Sequence, residues 1–365
     1  MNDKIPVTVL GATGMVGQNY LKLLNDHPWF EIVDVAASPN SAGKSYSEAV
    51  ADRWHMSTDI PSGVRDLIVR DVNDLERVKD RVKCAFSAIS MPDKPDVIEL
   101  EFSYAAEGFA VVSNNSANRW TEDVPMLIPE INPDHTDVIA LQQSNRSLPK
   151  TGFVAVKPNC SIQSYLITLV ALERAGYPVD RIQVSTLQSL SGAGYAGISS
   201  KEMIDNVIPF IPGEEEKTES EPLKILGEVT EKGISVTDRL NISATCTRVP
   251  IVDGHMAIVH IGFKEKAPDL NTVKSVWRDF KADPSVSGLP SSPEKPIIFL
   301  EEVDRPQPKL DMNAGKGMSV SVGRLAEDKF FDFRYVALSH NTIRGAAGGA
   351  ILTAELLVKK GFIGG

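Results

Sequence analysis

Cysteine is scarce in this chain. The three cysteines, Cys84, Cys160 and Cys246, are too few and too scattered for a disulfide framework. No Cys-x-x-Cys pair and no Cys/His cluster has zinc spacing, so the pattern predicts no metal centre. Excess positive charge is also missing. Lys and Arg total 38 against 48 Asp and Glu, a formal net charge of -10. That balance argues against a nucleic-acid partner or an anionic membrane surface. It leaves room for a small anionic substrate, because a local pocket can be basic on an acidic protein. No uncharged apolar run reaches the roughly 18 residues of a membrane span. The opening stretch "MNDKIPVTVLGATG" reads as a strand rather than a basic-plus-apolar leader. Internal repeats and low-complexity tracts are absent. These absences predict a soluble, cytoplasmic protein with reduced thiols.

What is present is patterned. At 365 residues the chain is too long for one ordinary core and predicts two domains. The first part alternates short β-branched runs with helical patterns. "IPVTVLG", "FEIVDVAAS", "CAFSAIS" and "FAVVSNNS" read as strands. "MVGQNYLKLLNDH" and "PDVIELEFSYAAEG" read as helices. Such alternation predicts a parallel α/β sheet with right-handed crossovers. After Lys157 the pattern changes. A helix is predicted from Ser161 to about Arg174. Long alternating strands follow: "RIQVSTLQSL", "ISATCTRVP", "HMAIVHIGFKE", "GMSVSVGRL" and "FFDFRYVAL", with "DLNTVKSVWRDFKAD" as a covering helix. In the third strand Met256, Ile258, His260 and Gly262 share one face. The fold class read from this is α/β: a Rossmann-type parallel domain over residues 1–157, plus an α+β domain over 158–340 with a mainly antiparallel sheet. The last segment, 341–365, reads as a small-residue turn and a helix that returns to the first domain.

The turn "GATGMVG" holds Gly11, Thr13, Gly14, Met15, Val16 and Gly17 between a strand and a helix. A tight turn needs φ freedom, and a pyrophosphate must approach backbone N–H groups at a helix N-terminus. The spacing is G-x-x-G-x-x-G, a variant of the dinucleotide fingerprint. An NAD site would place a carboxylate at the end of the second strand. Asp34 lies too early, inside that strand. Beyond it stand Ser38, Asn40, Ser41 and Lys44, whose hydroxyls and positive charge suit a 2′-phosphate. The expected cofactor is therefore NADP, with a solvated polar loop as the bland alternative.

"KPNCSIQ" puts Cys160 where a polar turn meets an apolar run. A thiol at a helix start feels the positive end of the dipole, which lowers its pKa. A reactive cysteine needs an acid/base partner. Of the six histidines, His255 enters a strand after the turn "VPIVDG"; His260, further along, reads as structural. The residues alone leave two readings of Cys160, a nucleophile or a small residue packed at a helix start. "TLQSLSGAGYAG" is a strand running into a glycine-rich turn. It is read either as an ordinary turn or as a loop against a nicotinamide. Cys84 and Cys246 alternate in strands and read as buried small hydrophobes. The charged run Glu214 to Glu221, taken on charge alone, reads as a solvated helix face. Ser199 to Val207 reads as a helix with a role in subunit contact.

Nine segments together resemble aspartate-semialdehyde dehydrogenases, in particular their archaeal and fungal branch. They are "GATGMVG", "SPNSAGK", "SNNSANRW", "PNCS", "LQSLSGAGYAG", "IPFIPGEEEK", "TRVPIVDGH", "GMSVSVGRL" and "HNTIRGAAGG", and they span nearly the whole chain. The resemblance implies NADPH-dependent reduction of L-β-aspartyl phosphate to L-aspartate β-semialdehyde and phosphate through a cysteine thioester. It implies that Cys160 is the nucleophile, His255 its acid/base partner, and Gln188 the residue orienting the acyl group. Arg248 would clamp the substrate carboxylate and Glu214 would receive the amine. Lys217 and Arg119 would bind phosphate, with Asn159 assisting. Ser191, Gly192, Gly194 and Asn341 would face the nicotinamide. The second domain would carry dimerisation, giving a homodimer or homotetramer. The sequence departs from the family in "CSIQ", where "CST" is common, and at Ser189, where Ala is common. A sister group that reduces malonyl-CoA or succinyl-CoA shares two of the segments. "PNC", Arg248, "EEEK" and Lys217 favour the phosphate substrate. A non-catalytic NADP-binding sensor on the same scaffold is the third reading, and intact Cys160 and His255 motifs speak against it.

Overall fold

The computed structural model describes residues 4–194 and 197–364. Tyr195 and Ala196, within the "LQSLSGAGYAG" stretch, lie outside the described residues.

Six short strands build the first sheet: β1 (Ile5–Leu10), β2 (Phe30–Ala37), β3 (Arg70–Asp71), β4 (Cys84–Ser87), β5 (Ala110–Ser113) and β6 (Phe153–Val156). Their order is β3-β2-β1-β4-β5-β6, and every pairing is parallel. The order reverses beside β1, with β2 on one flank and β4 on the other. Parallel sheets of this kind bind ligands outside the carboxyl ends of the strands at that reversal. Helix α1 (Met15–Leu24) follows β1 and buries Tyr20, Leu21 and Leu24. Helices α2 (Lys94–Ala106) and α3 (Val138–Arg146) lie further along the same half. One core joins Val7, Val9, Val35, Phe86 and Val112 with Ala350, Ile351, Ala354 and Leu357 from the closing helix.

Beyond β6 the predicted helix does not begin at Ser161. A 3-10 turn covers Ile162–Ser164, and α4 runs only from Leu166 to Arg174. The physical reason is a local turn. Asn159 Oδ1 accepts from the Ser161 N–H at 2.8 Å and from the Ser161 hydroxyl at 2.7 Å, a side-chain arrangement that competes with helix. Likewise only Ser200–Met203 is helical in the stretch read as a helix over 199–207.

The second sheet uses β7 (Val179–Gln188), β10 (Asn241–Arg248), β11 (His255–Phe263), β12 (Ile297–Phe299), β13 (Val320–Glu327) and β14 (Phe333–Ser339). A small hairpin, β8 (Glu228–Thr230) with β9 (Gly233–Ser235), stands apart. The order is β10-β7-β11-β14-β13-β12. The three central pairings are antiparallel, and the two edge pairings, β10 with β7 and β12 with β13, are parallel. One face packs Ile182, Val184, Ala257, Val259, Tyr335 and Ala337 under α4 and α6 (Leu270–Asp279). Val273 and Trp277 of α6 face this core four residues apart, and the Trp277 Nε1–H donates to the Thr168 carbonyl at 3.0 Å. The other face carries Met256, Ile258 and His260 and is open, with Ile258 38% exposed.

Helix α5 (Glu214–Ile225) corrects the reading of that charged run as a solvated face. Glu214, Thr218, Glu221 and Ile225, at helical spacing, are buried. On its flank Glu215 accepts from the Cys246 N–H at 3.0 Å and Glu219 from the Ala244 N–H at 2.9 Å. Two carboxylates one turn apart thereby satisfy two N–H groups on the outer edge of β10, which blunts an edge strand against unwanted pairing. Helix α7 (Gly348–Lys359) closes the fold after a π-type turn over Ile343–Ala347.

Candidate active site

The glycine turn is built for close approach. Gly11 has φ +77°, and a Cβ there would lie 2.5 Å from the Ala88 carbonyl oxygen. A Cβ at Gly17 would lie 2.2 Å from the Gly11 carbonyl oxygen, so α1 can pack on the turn only with glycine there. Gly14 starts the helix, with Met15 and Val16 in its first turn. A cleft runs from Met15 and Val16 past Asn114 and Asn341 to Cys160. Thr13 is half-buried in the turn itself, and its carbonyl accepts from Gln18 Nε2.

Inside β2, Asp34 is already paired. It accepts from Thr8 Oγ1 at 2.5 Å and from Arg70 Nη2 at 2.9 Å. Past β2, Ser38, Asn40 and Lys44 are exposed; Lys44 Nζ reaches the Asn40 carbonyl at 3.4 Å. Ser41 is buried and accepts from Arg53 Nη2 at 3.1 Å. Arg53 escaped the sequence reading because it lies well beyond the loop in sequence. Gln18 on α1 brings it there, bonding the Arg53 carbonyl at 2.7 Å and the His55 N–H at 2.9 Å.

Cys160 is half-buried and free. Its thiol makes no hydrogen bond among the described residues. The expected dipole effect is not what dominates here. Burial, and then the Glu214 carboxylate, push the thiol above its ordinary value, while Lys157, Arg119 and Arg248 pull it down. The dipole argument fails because a 3-10 turn, not an α-helix start, follows the cysteine.

A second pocket opens on the other side of Cys160, lined by Gln188, Arg248, Glu214 and the apolar Ile208 and Phe210. Cys160, Gly192 and Glu214 line both spaces. The strand ends explain this convergence. Gln188 ends β7 and Arg248 ends β10, directly opposite each other in register. His255 begins β11, the other neighbour of β7. His255 Nδ1 accepts from the Ser189 backbone N–H at 3.1 Å, which fixes the neutral tautomer with the proton on Nε2. Nε2 is buried and unpartnered. Burial, then the Arg248 charge, hold His255 down at about 3. Gly192 lies against both groups: a Cβ there would be 2.8 Å from Arg248 Nη1 and 3.0 Å from His255 Nε2. Arg248 is 5% exposed, donates Nη1 to the Ser189 carbonyl at 2.7 Å, and leaves Nε unpartnered. A buried guanidinium without a carboxylate is costly unless a ligand supplies the anion.

Glu214 collects three donors: Asn159 Nδ2 at 2.9 Å, Lys217 Nζ at 2.9 Å and Gln188 Nε2 at 3.1 Å. Burial pushes its pKa up, but Lys217, Asn159 and Gln188 together outweigh this and hold it below the usual carboxylate range. Asn159 is therefore turned toward Glu214. Arg119 lines the cleft, yet Nη1 is bonded to Glu221 at 2.8 Å and Nε to the Lys157 carbonyl at 3.1 Å. Glu221 also accepts from the Asn159 N–H at 2.6 Å, so it braces the cysteine turn from below. Its inward direction could have been read from the spacing of 214, 218, 221 and 225. Elsewhere along the cleft Asn341 Nδ2 donates to Ser191 Oγ at 2.8 Å, and Asn341 Oδ1 accepts from the Gly254 N–H at 2.8 Å. This ties the turn of Gly192 and Gly194 to the loop before β11.

A Rossmann-ordered sheet whose glycine turn opens on a cleft cysteine, flanked by a buried cation and a buried carboxylate, defines a two-domain dinucleotide-dependent oxidoreductase. Family descriptions agree in both halves: "Semialdehyde dehydrogenase, NAD binding domain" matches residues 6–139, and "Semialdehyde dehydrogenase, dimerisation domain" matches 169–344. Aspartate-semialdehyde dehydrogenase of Archaeoglobus fulgidus is 43% identical, covering 98% of this chain and 99% of the relative. That of Methanothermobacter thermautotrophicus is 44% identical over 97% of this chain and 99% of its own length. The solved structure of the Candida albicans enzyme, described as being with NADP, superposes with a TM-score of 0.89 at 38% identity, covering 99% of this chain and 100% of that one. This chain belongs to the aspartate-semialdehyde dehydrogenase family. The matched dimerisation domain supports an oligomer, and no described helix is long and apolar enough to cross a membrane.

Proposed function

We propose that the chain converts L-β-aspartyl phosphate to L-aspartate β-semialdehyde and phosphate with NADPH, through a thioester on Cys160. The observation that carries this reading is the charge arrangement around the nucleophile. One pocket brings together Cys160, a buried guanidinium with an open Nε, Arg248, and an ionised carboxylate, Glu214. An amino acid offers the matching pair, an α-carboxylate for Arg248 and an α-ammonium for Glu214. A malonyl or succinyl thioester offers the carboxylate alone.

The chain's own groups suffice for the acyl chemistry. The Cys160 thiolate attacks the acyl carbon, the C–O bond to phosphate breaks, and phosphate leaves toward Lys217 and Arg119. Bound NADPH supplies the hydride. Gln188 orients the carbonyl, and the His255 Nε2–H donates a hydrogen bond to the oxygen of the thiohemiacetal. Collapse of that adduct returns the thiolate and the aldehyde. The fixed tautomer makes His255 a donor at this stage rather than a base.

The cofactor fits the residues present. Gly11, Gly14 and Gly17 leave the turn open, and Asp34 is bound to Arg70 rather than free for a ribose. Ser38, Ser41 and Lys44, joined by Arg53, form the 2′-phosphate end. We divide the chain into a dinucleotide-binding part, 1–157 with the returning 341–365, and a catalytic and dimerisation part, 158–340. The last strand of the first sheet ends at Val156 and the first strand of the second begins at Val179, which supports that division. The open face with Ile258 suits a homodimer, or two such pairs in a homotetramer. The free thiols suit the cytoplasm. One assay tests the reaction. Enzyme with NADP, phosphate and L-aspartate semialdehyde is run beside enzyme with NADPH and malonyl-CoA or succinyl-CoA. Turnover only in the second arm sinks the proposal, and an initial-rate preference for NADH sinks its cofactor half.

A further inference from the structure

Lys157 is a buried charge that the acyl chemistry above leaves unused. It follows β6 and is 2% exposed. Its Nζ donates to the Pro158 carbonyl at 2.6 Å and to the Gly345 carbonyl. Those carbonyls belong to the two segments that enclose the nucleophile. Pro158 leads directly into Asn159 and Cys160. Gly345 sits so close that a Cβ there would lie 2.9 Å from the Cys160 Cβ. Lys157 also lines the same cleft as Cys160.

The surrounding charges give this clamp an electrical role. Toward Cys160, Glu214 opposes the thiolate, and Lys157 is the foremost cation favouring it, ahead of Arg119 and Arg248. Arg119 is neutralised by Glu221, and Lys217 by Glu214. His255 is neutral and contributes no charge. Toward Lys157 itself, burial and then Arg119 pull its pKa down to about 7; Cys160 and Glu221 act to keep it protonated, and Arg344 opposes. An ammonium beside a thiolate keeps its proton where an isolated buried lysine would lose it.

We propose that Lys157 is a positioning residue for Cys160: its ammonium clamps the cysteine turn to the Gly345 turn and supplies the positive charge that holds the thiolate. The inference rests on Cys160 being the nucleophile. Its test does not need turnover. Full-length, ligand-free enzyme is alkylated with iodoacetamide from mildly acidic to alkaline pH, and modification of the Cys160 peptide is followed by mass. Lys157→Met removes the clamp and the charge. Lys157→Gln removes the charge but keeps a donor for one carbonyl, so it carries the test where the Met variant fails to fold. In both variants the alkylation midpoint rises by about one pH unit, which at neutral pH is about tenfold slower alkylation. The KM for NADP stays within about twofold while kcat falls. An alkylation profile of either folded variant that superimposes on the wild type overturns the proposal. Turnover by Cys160→Ala would instead overturn the nucleophile reading, which keeps the two failures apart.

Discussion

Replacing Arg248 by Leu tests the pocket most sharply. Among the described residues the guanidinium makes one hydrogen bond, to the Ser189 carbonyl, and leaves Nε bare in a buried site. Burial lowers its pKa, and the charges of Cys160 and Glu214 offset that cost only in part. The charge is thus held mainly for a ligand. With a bound α-carboxylate it would form two charge-assisted hydrogen bonds, each contributing about 1.5–3 kcal/mol. Losing both predicts a deficit of about 3–6 kcal/mol in transition-state stabilisation, on the order of a 150- to 25,000-fold fall in kcat/KM. Stability should move little, or rise, because an unpaired buried charge has been replaced by an apolar side chain. The opposed directions of the two effects separate substrate binding from simple unfolding. The assay is steady-state kinetics in the phosphorylating direction with a thermal melt of the same sample. A kcat/KM within about twofold of wild type would remove Arg248 from the substrate site. Arg248→Lys should recover only part of the rate, since an ammonium lacks the planar fork.

Cys160→Ala is expected to abolish turnover while the cofactor still binds, measured by the fluorescence of bound NADPH; substantial residual activity would end the covalent mechanism. Gly192→Ala places a Cβ 2.8 Å from Arg248 Nη1 and 3.0 Å from His255 Nε2, so kcat should drop by about 5- to 150-fold for a strain of roughly 1–3 kcal/mol. An unchanged kcat would show that the turn moves aside freely. Lys217→Met removes the leading charge that holds Glu214 below the usual carboxylate range. A depressed carboxylate stabilises the fold above its unfolded pKa and loses that contribution as pH falls through its lowered value. The acid limb of thermal stability should therefore begin at a higher pH in the variant, read from melts across mildly acidic buffers; coincident profiles would contradict the pairing.

Much of the first sheet was legible because its signals are local. β1, β2, β4 and β5 each announce themselves as short apolar runs, and Gly11 and Gly17 occupy positions where a side chain would collide with backbone. β6, no shorter than β4 or β5, went unread because the polar helix before it, α3, was not read either, and a short apolar run without its flanking helix cannot be told from a loop by periodicity. The helix after Cys160 was placed too early, since nothing in "NCS" reveals that Asn159 would close on Ser161. The second sheet's parallel edges were hidden for a different reason. Strand alternation reports which face is buried, and carries no record of neighbour or direction.

By itself, the sequence determined the two kinds of sheet, the dinucleotide turn, the identity of the cysteine and its nine-segment setting. Those follow from residue type at fixed spacing along the chain. Only the tertiary structure decided which charges are free. It set Arg119 against Glu221 and Asp34 against Arg70, left the Nε of Arg248 unpartnered, turned α5 inward, and brought Lys157 across to Gly345. Pairing of charges depends on distance and burial, and these exist only once the strand ends and the helices meet around Cys160.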